Sequence, residues 1–573
     1  MASPEEAASG AEPFDVRELQ GRIDAVLERE HASWGVLVYS TGLGRDIAAH
    51  RPDTALVPAS NVKLFTALAS LLVSHVGPTR ALRTAAHVVD VPGDGTRASS
   101  GDAGREPRRR RAVCVHPCGD PGFTAEQLAE LVGGALEAAG VSADDVDPGR
   151  TRLGGDPWRD DGVPDTWEVG DLASDWAAPP SRAVLDRNVE SLWKRSGINT
   201  RRATAPGRPP LARFRDACRD AVLDAQTVTR RAVASDESEE KEKETEKETE
   251  IPCGLAPPAP PRRPFGVGVA SPLFEISARE ARFPDGWAIR DSAPVSAIAR
   301  AALRDSDNLC AEQLVRVCAG GRDSGRWLTS WSAVFCRKHC AGTAGPPRAA
   351  SPARPGATSD AVSDPELRAS PAPARVRFVD GSGLSRHNLA PPRAFVALFL
   401  SALEGAARED AADGPAFPTP NAGTDRSARN PFAAFLDALP ETARDGANGV
   451  RSSETAVETS VERVEDRKDR KDRKDRKDRK DRETRASGTL GARLGDLRGV
   501  VRAKTGSMRG AAALSGYFAP HACSRLGAVA FSVVANNHAS AAPDAAHRLR
   551  DALDEIVRLI DRAEVVREEG ERP

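Results

Sequence analysis

The sequence predicts an α+β fold in which one sheet is assembled from segments near both ends of the chain. Two observations support this prediction. The patterned segments follow the order helix, strands, several helices, strands, helix, and the strand-like segments that pair in this interpretation come from the first and the last parts of the chain. The chain has 573 residues, of which 40% are hydrophobic and 29% charged, so a sizeable core can form, although not from the entire chain.

The individual elements follow from local patterns, taken in chain order. Apolar residues at helical spacing and a β-hairpin pattern predict the N-terminal elements Val16–Glu28, Trp34–Ser40 with Asp46–His50, and Lys63–Val73. Helical periodicity predicts the middle helices Ala125–Ala139, which Gly140 ends, Val295–Leu303 and Leu309–Cys318. The C-terminal part contains the predicted strands Gly499–Lys504, Ala511–Phe518 and Leu526–Ala535, and then an amphipathic helix that carries Leu549, Leu553, Ile556, Val557 and Ile560.

Several low-complexity stretches interrupt these patterned segments. Glu239–Glu250 reads EEKEKETEKETE, and Asp466–Asp481 repeats Asp-Arg-Lys. Such stretches lack apolar periodicity and cannot offset the conformational entropy of ordering, so we interpret them as surface insertions. For the same reason Arg97–Arg111 and Thr200–Pro210 are not expected to fold. The predicted insertions are residues 232–264, 341–374, 405–430 and 446–486.

Composition excludes some classes of function and location. Lys and Arg number 81 and Asp and Glu number 83, a near-balance that argues against a strongly basic nucleic-acid-binding protein. No apolar run approaches the roughly 18–20 residues of a transmembrane helix, since the longest, Leu64–Val76, is short and interrupted by hydroxyl residues. The acidic N-terminus is unlike a secretory signal, so the sequence alone indicates a cytoplasmic location. Nine cysteines, an odd number, favour free thiols in a reducing compartment.

The first chemical motif is the Ser-x-x-Lys sequence from Ser60 to Lys63. Positions i and i+3 share one face of a helix, so the hydroxyl and the amine can meet. A serine hydroxyl becomes a good nucleophile when a neighbouring base takes its proton, and a lysine can be that base if burial lowers its pKa. Taken alone, the motif is explained better by a capping serine beside a surface lysine.

Two further motifs follow in order. Ser306-Asp307-Asn308 stands where two predicted helices join, where a hydroxyl can relay a proton and an amide can hold a lysine, although a helix cap also explains it. Lys504-Thr505-Gly506, with Ser507, ends a predicted strand. A strand edge can bind an extended peptide, and a lysine with a hydroxyl can receive a carboxylate, although an ordinary solvated lysine is the simpler explanation.

Together the three motifs form the set found in penicillin-binding proteins and serine β-lactamases. Their surroundings resemble the low-molecular-mass class C penicillin-binding proteins, which are the D-alanyl-D-alanine carboxypeptidase/endopeptidases of peptidase family S13. The segments that carry the resemblance are Pro58–Ala67, Ser306–Glu312, Asp380–Arg386, Gly488–Leu490 with Arg493, Lys504–Gly506 and Leu514–Tyr517.

The resemblance implies a transpeptidase-like domain, with an antiparallel sheet flanked by helices, formed by residues 1–85 and 286–573. Residues 86–285 would be a smaller accessory domain inserted between the first and second motifs, which the long interval between Lys63 and Ser306 supports independently. The implied catalytic residues are Ser60 as nucleophile, Lys63 as its base and Ser306 as the group that passes a proton to the departing D-alanine.

The resemblance also implies the substrate-binding residues and the partners. Asn308 would orient the base and the substrate, Lys504 and Thr505 would hold the terminal carboxylate, and Gly506 would leave room for the peptide. The backbone N–H groups of Ser60 and Ser507 would bind the oxyanion. The expected partners are a small peptide ending in D-Ala-D-Ala, or a cross-linked analogue, and β-lactams as inhibitors. No nucleic acid, metal or organic cofactor is expected.

Three alternatives stay open at this stage. The fold could serve as a non-catalytic penicillin-binding scaffold, or the same serine could carry out β-lactamase or esterase turnover.

Family members are normally exported, yet the start of this sequence shows no export signal. The two Cys-x3-Cys pairs, Cys114/Cys118 with His116 and Cys336/Cys340 with His339, have a spacing that zinc permits, but thiols without a metal are the favoured interpretation.

Overall fold

The chain divides into two compact units. Unit 1 comprises Met1–Arg80, Pro164–Asp171 and Pro294–Pro573, and unit 2 comprises Ala81–Val163 and Leu172–Ala293. The computed structural model describes residues 14–73, 76–91, 110–155, 158, 162–168, 171–172, 174–193, 199–203, 210–244, 285–340, 375–412, 430–442, 490, 493–494, 497, 500–520, 525–538 and 545–565.

Both units contain strands and helices. The described strands are β1 Phe14–Asp15, β2 Ser33–Ser40, β3 Arg45–His50, β4 Ala81–Val91, β5 Arg110–His116, β6 Arg152–Leu153, β7 Val189–Trp193, β8 Asn199–Ala203, β9 Trp287–Pro294, β10 Val501–Met508, β11 Ala511–Phe518, β12 Val529–Asn536 and β13 Ala563–Glu564. The described α-helices are α1 Leu19–Arg29, α2 Val62–Leu72, α3 Ala125–Ala138, α4 Pro210–Glu244, α5 Val295–Arg304, α6 Asn308–Ala319, α7 Ser324–Cys340, α8 Pro392–Ala412, α9 Pro431–Asp437 and α10 Ala545–Arg562.

A five-stranded antiparallel sheet is the centre of unit 1. Its order is β10-β11-β12-β2-β3, so strands from the C-terminal part pair with the N-terminal hairpin, with Val36 opposite Val533. One face is covered by α1 and α10, whose apolar sides form a common core with alternate sheet residues such as Val38 and Phe531. Helix α8 packs on the other face. The structure confirms the predicted α+β class, with an antiparallel sheet flanked by helices.

Helix α2 is surrounded by protein on nearly all sides. Every residue from Val62 to Leu71 is buried, and the helix packs against α5, α6 and α9. The ring of Phe65 lies 5.3 Å from that of Phe378 and 5.5 Å from that of Phe395, measured between centroids. Such a helix has no solvated face, so the lysine in its first turn is buried with it.

Unit 2 has its own sheet and its own core. The sheet order is β6-β5-β4-β9, and β4 and β5 pair antiparallel. Helices α3 and α4 pack together over it, with Phe123 and Phe214 in the core. Helix α3 begins with a complete capping box formed by Thr124 and Gln127, which satisfies two backbone donors of the first turn. That this unit folds independently as an inserted domain stays a prediction.

Several sequence-based boundaries are wrong. The strand predicted to end at Lys504 continues to Met508, because β11 pairs with it along its whole length. Strands β5 and β8 overlap the segments Arg97–Arg111 and Thr200–Pro210, which were not expected to fold, because their partner strands supply the pairing. Helices α4 and α8 continue into the predicted insertions 232–264 and 405–430, since a nucleated helix gains one hydrogen bond for each further residue. Residues 341–374 and 446–486 lie outside the described residues.

Candidate active site

Ser60 lies in a tight turn that leads directly into α2. Residues Ala59–Asn61 form one 3₁₀ turn, and Ala59 has a left-handed backbone with φ of 48°. The amide of Asn61 donates to Ser515 Oγ on β11 at 2.8 Å, and Ser515 is in turn 2.8 Å from Ser532 Oγ on β12. These buried hydrogen bonds fix the turn on the central strands of the sheet, so the position of the Ser60 hydroxyl is set by the fold.

Lys63 is fully buried and is held by three oxygen atoms. Its Nζ lies 3.0 Å from Ser60 Oγ, 2.6 Å from Asn308 Oδ1 and 2.5 Å from the backbone oxygen of Ser382. The amide and carbonyl oxygens can only accept hydrogen bonds, whereas a hydroxyl can also donate. A neutral Lys63 amine therefore uses its two N–H groups on Asn308 and Ser382 and points its lone pair at the Ser60 hydroxyl.

The environment of Lys63 favours this neutral form. Burial lowers the pKa of the amine from 10.5 to about 8, because the charged form loses its hydration. The carboxylates of Asp380, Glu312 and Asp307 oppose the shift and raise the pKa. With a pKa near 8, roughly a tenth of the amine is neutral at pH 7 and about half at pH 8, which suits a general base.

The second motif enters the same site from the start of α6. Ser306 has a left-handed backbone with φ of 56°, a strained conformation for a residue with a side chain, and Asp307 caps the helix by accepting from the N–H of Cys310 at 2.9 Å. Asn308 is the first helical residue, and it reaches Lys63. Asp307 therefore caps the helix while Asn308 contacts Lys63, and the catalytic role of the motif stays a prediction.

The third motif brings a second buried lysine. Lys504 on β10 donates to Ser306 Oγ and to the backbone oxygen of Thr505, each at 3.0 Å. Burial, followed by the positive charge of Lys63, lowers its pKa well below the usual value of 10.5. Ser60, Lys63, Ser306, Asn308 and Lys504 are thus connected by hydrogen bonds in two short chains, each of which contains one buried amine.

Gly506 is the point where β10 passes the Ser60 turn. A Cβ atom at this position would lie 2.7 Å from the backbone oxygen of Pro58 and 3.2 Å from the backbone nitrogen of Ser60. Only glycine permits this approach. Thr505 is half-buried and Ser507 is exposed on the same strand. β10 is the outermost strand of its sheet, and among the described residues its outer edge contacts Glu441 opposite Arg502 and Pro440, which accepts from the N–H of Ala503.

A group that the sequence analysis did not assign positions the acceptor of Lys63. Glu312 on α6 is fully buried, and its Oε1 accepts from the backbone N–H groups of Gly381 at 3.0 Å and Ser382 at 2.7 Å. Its other oxygen pairs with the buried guanidinium of Arg316 at 2.5 Å. The Glu312 carboxylate therefore holds the backbone of Ser382 through its N–H group, while the carbonyl oxygen of Ser382 accepts from Lys63.

The loop Asp380–Arg386 is supported by Asp380 as well. This carboxylate accepts from the backbone N–H of Gly383 at 2.8 Å and of Ser385 at 2.7 Å, and from the indole of Trp167 at 3.0 Å. Periodicity could have suggested Glu312, since it lies one turn before Arg316 on a mostly apolar helix. The contacts of the loop with Glu312 and Trp167, in contrast, join distant parts of the sequence, and no local pattern encodes them.

The two Cys-x3-Cys pairs, whose spacing zinc permits, fall into different units. Cys114 and His116 lie on β5 of unit 2, and Cys118 follows that strand, whereas Cys336 lies on α7 of unit 1. The side chains of His339 and Cys340 are outside the described residues. Within the described part of the chain, the ligand-type atoms that cluster are those of His87, Cys114 and His116. Nothing in the described helices is long and apolar enough to cross a membrane.

Comparison with solved structures finds similar proteins at low identity. Penicillin binding protein 4 (dacB) from Haemophilus influenzae is 15% identical, with 94% of this chain and 98% of that chain covered and a TM-score of 0.49. A penicillin G-acylated predatory endopeptidase from Bdellovibrio bacteriovorus, in complex with an immunity protein, is 14% identical, with 94% and 96% covered and a TM-score of 0.39. A class A β-lactamase representative from Bacteroides cellulosilyticus is 11% identical, with 96% and 99% covered and a TM-score of 0.33. No curated protein matches the sequence.

The assignment rests on the comparison with protein families. The model described as the D-Ala-D-Ala carboxypeptidase 3 (S13) family matches residues 19–272 and 484–559, which is more than half of the chain. The first matched segment contains Ser60 and Lys63, and the second contains Lys504 to Ser507. This confirms the family resemblance found in the sequence and the expected class of enzyme, a D-Ala-D-Ala carboxypeptidase hydrolase. The protein belongs to the D-Ala-D-Ala carboxypeptidase 3 (S13) family of serine peptidases.

Proposed function

We propose that this protein cleaves the peptide bond of D-Ala-D-Ala peptides through an acyl-enzyme on Ser60. The observation that carries the proposal is the set of hydrogen bonds around Lys63. Its Nζ is 3.0 Å from Ser60 Oγ, and its other two partners, Asn308 Oδ1 and the Ser382 oxygen, are acceptors. An amine in that setting takes the hydroxyl proton as Ser60 attacks the substrate carbonyl.

The oxyanion formed in this attack needs donors on the side opposite the base. We assign the backbone N–H groups of Ser60 and Ser507 to this role, as the family resemblance implies. Strand β10 passes close to the Ser60 turn, since a Cβ atom built on Gly506 would lie 3.2 Å from the backbone nitrogen of Ser60. This proximity supports a pair of donors in which one N–H comes from the turn and the other from β10. Fixed backbone donors of this kind stabilise the developing charge without having to reorganise.

Departure of D-alanine requires a proton on its nitrogen. Ser306 supplies it in this mechanism, because its hydroxyl is hydrogen bonded to the Lys504 amine at 3.0 Å and can be reprotonated from there. The terminal carboxylate of the substrate binds near Lys504 and Thr505. An anion at that position favours the charged form of Lys504, which burial and Lys63 otherwise disfavour. Substrate binding thus prepares the proton donor for the leaving group.

The peptide itself lies along β10 in this proposal. β10 is the outermost strand of its sheet, and a strand in that position can receive an extended chain, as in other cases of peptide binding by strand addition. A β-lactam resembles the same dipeptide and acylates Ser60 by the same route. Water then releases the acyl group, so turnover of a D-Ala-D-Ala peptide gives one D-alanine and the shortened peptide.

Labelling of the full-length protein with a fluorescent penicillin, followed by peptide mapping, tests the assignment. We expect one labelled peptide that contains Ser60, no label in the Ser60→Ala variant, and release of D-alanine from a D-Ala-D-Ala peptide by the wild type only. The Ser401→Ala variant, altered at a buried serine of α8, is the matched control and should label normally. Label on another residue, or no label on protein with a native circular dichroism spectrum, contradicts the proposal. Rapid loss of the label from Ser60 would instead indicate β-lactamase turnover.

A further inference from the structure

The register of two strands in unit 2 places three metal-binding side chains on one face of the sheet. Strands β4 and β5 are antiparallel, and His87 is directly opposite Cys114. His116 is two residues further along β5, and side chains two positions apart on a strand point to the same face. We refer to His87, Cys114 and His116 as the β4–β5 cluster. The pairing of the strands, rather than a sequence motif, brings His87 to the other two.

The distance between the two ligand atoms of β5 matches that of a tetrahedral zinc site, and His87 is close to both. One ligand atom from each residue lies within 4.8 Å of the other two. The Cys114 Sγ and His116 Nε2 atoms are 3.6 Å apart. Zinc bonds of about 2.3 Å to sulfur and about 2.1 Å to nitrogen, at a tetrahedral angle, separate the two ligand atoms by about 3.6 Å. The spacing of these two atoms therefore needs no adjustment.

One nitrogen of each histidine in the cluster lacks a hydrogen-bond partner among the described residues. His116 is only 7% exposed and Cys114 9% exposed. Nevertheless Nδ1 of His116 and Nδ1 of His87 are both buried without a hydrogen-bond partner among the described residues. Buried polar atoms are usually satisfied, and two orphaned imidazole nitrogens beside one thiol indicate that a partner outside the polypeptide belongs there.

Neighbouring groups hold both rings in place. The indole of Trp287 stacks on His87 at 3.8 Å between centroids and lies 5.0 Å from the ring of His116. On the other side, a Cβ at Gly154 would come within 2.4 Å of His116 Nδ1, so the imidazole occupies space that only glycine leaves free. His87 is half-buried, which gives a small ion a path to the cluster. A rigid, partly open set of ligands needs little reorganisation to bind a metal.

We propose that the β4–β5 cluster binds one Zn²⁺ ion, with the Cys114 thiolate and one nitrogen from each histidine as ligands. The fourth position is left to water. One sulfur and two imidazole nitrogens are the donors that zinc and copper prefer, whereas magnesium and calcium require oxygen ligands. Zinc binding releases the thiol proton of Cys114 to solvent, whereas each neutral imidazole binds the ion without losing a proton. The site crosslinks β4 and β5 and lies outside the residues assigned to peptide cleavage.

Zinc titration of the full-length, chelator-stripped protein tests this site. Competition with a chromophoric chelator should give one Zn²⁺ per chain, and Co²⁺ in its place should produce a sulfur-to-cobalt charge-transfer absorption. Cys114→Ser should weaken zinc binding by at least about 100-fold and abolish that absorption, because loss of a ligand costs at least as much as loss of a group that supports one. His116→Gln should weaken zinc binding by a similar factor. Cys218→Ser changes another buried free thiol of the same unit and should bind zinc normally.

Each variant is compared by circular dichroism and by penicillin labelling, which should both be unchanged. The proposal is overturned if the folded wild type binds no zinc, or if Cys114→Ser binds it as tightly as the wild type does. If Cys114→Ser fails to fold, protection of the wild-type Cys114 thiol from alkylation by stoichiometric Zn²⁺ decides the question. Equal alkylation with and without zinc would exclude the site.

Discussion

At the scale of single residues, the site depends on the environment of Lys63. The amine has the three hydrogen-bond partners that its proposed role as a base requires, and its burial follows from the apolar residues that surround it on α2. The sequence was sufficient to predict this part, because Leu64 and Phe65 indicate a buried helix and the spacing from Ser60 gives a shared face. It was not sufficient for Ser382, whose carbonyl reaches Lys63 only through tertiary structure.

Replacement of Lys63 by arginine tests its role as a base. The guanidinium keeps the charge but cannot be deprotonated near neutrality, so we expect acylation by penicillin to slow by about 10²–10⁴-fold. In the wild type, the pKa of about 8 means that the neutral amine is gained as the pH rises. The acylation rate should therefore increase roughly tenfold per pH unit below 8 and level off above it. The variant should lose this dependence.

Stopped-flow acylation rates from pH 6 to 10, with circular dichroism to monitor the fold, provide the measurement. A Lys63→Arg protein that acylates at a near-native rate would exclude the general-base assignment. A wild-type rate that stays flat through pH 8 would equally contradict the lowered pKa.

At the scale of elements, the site is the meeting point of one turn, one helix start, one strand and one loop. The turn and the strand were predictable from the motifs they carry, although the strand continues past its predicted end. The role of the loop was not predictable, because Glu312 and Trp167 hold it through contacts distant in sequence. Substitutions at Gly506 and Glu312 test the contributions of the strand and of the loop separately.

Gly506→Ala should slow acylation by at least about tenfold while the protein stays folded. The new Cβ would meet the backbone oxygen of Pro58 at 2.7 Å, so β10 must move away from the Ser60 turn. A small displacement of the oxyanion donors is costly to the rate. The matched control is Gly21→Ala on the exposed surface of α1, where nothing lies within 4 Å of the new atom. That variant should acylate normally and gain about 0.5–1 kcal/mol in stability. If both variants acylate normally, β10 does not form part of the oxyanion site.

Glu312→Gln should reduce both the stability of unit 1 and the rate of acylation. The substitution keeps the size of the side chain but leaves the buried guanidinium of Arg316 without its counter-charge, which typically costs about 3–5 kcal/mol. We expect the urea midpoint for loss of penicillin labelling to fall. In the double variant Glu312→Gln/Arg316→Met the unpaired charge is gone, so stability should largely return. Acylation should stay slow if the carboxylate also positions Ser382. Full recovery of the rate would indicate that Glu312 serves stability alone.

At the scale of the whole molecule, the residues proposed for catalysis all lie in unit 1, and unit 2 comprises most of the sequence between the first two motifs. This division is visible in the spacing of the motifs. Its details are not, because β4, β5 and β9 acquire their structure by pairing with one another and their sequences alone are ambiguous. The low-complexity segments, in contrast, are predicted from a local property, the absence of apolar residues.

Deletion of Asp466–Asp481 tests whether this predicted insertion contributes to acylation or to stability. The segment lies outside the described residues, and its Asp-Arg-Lys repeat contains no apolar side chain that a core could bury. Exposed charges contribute little to stability, and shortening a connection changes the closure entropy only slowly with length. The deleted protein should therefore acylate within a few-fold of the wild-type rate and unfold at a similar temperature. A control deletion of equal length that removes Val501–Met508 and the residues next to it should abolish labelling. If deletion of the repeat abolishes penicillin labelling in a protein with a native circular dichroism spectrum, the repeat belongs to the active site. The interpretation of residues 446–486 as a surface insertion is then wrong.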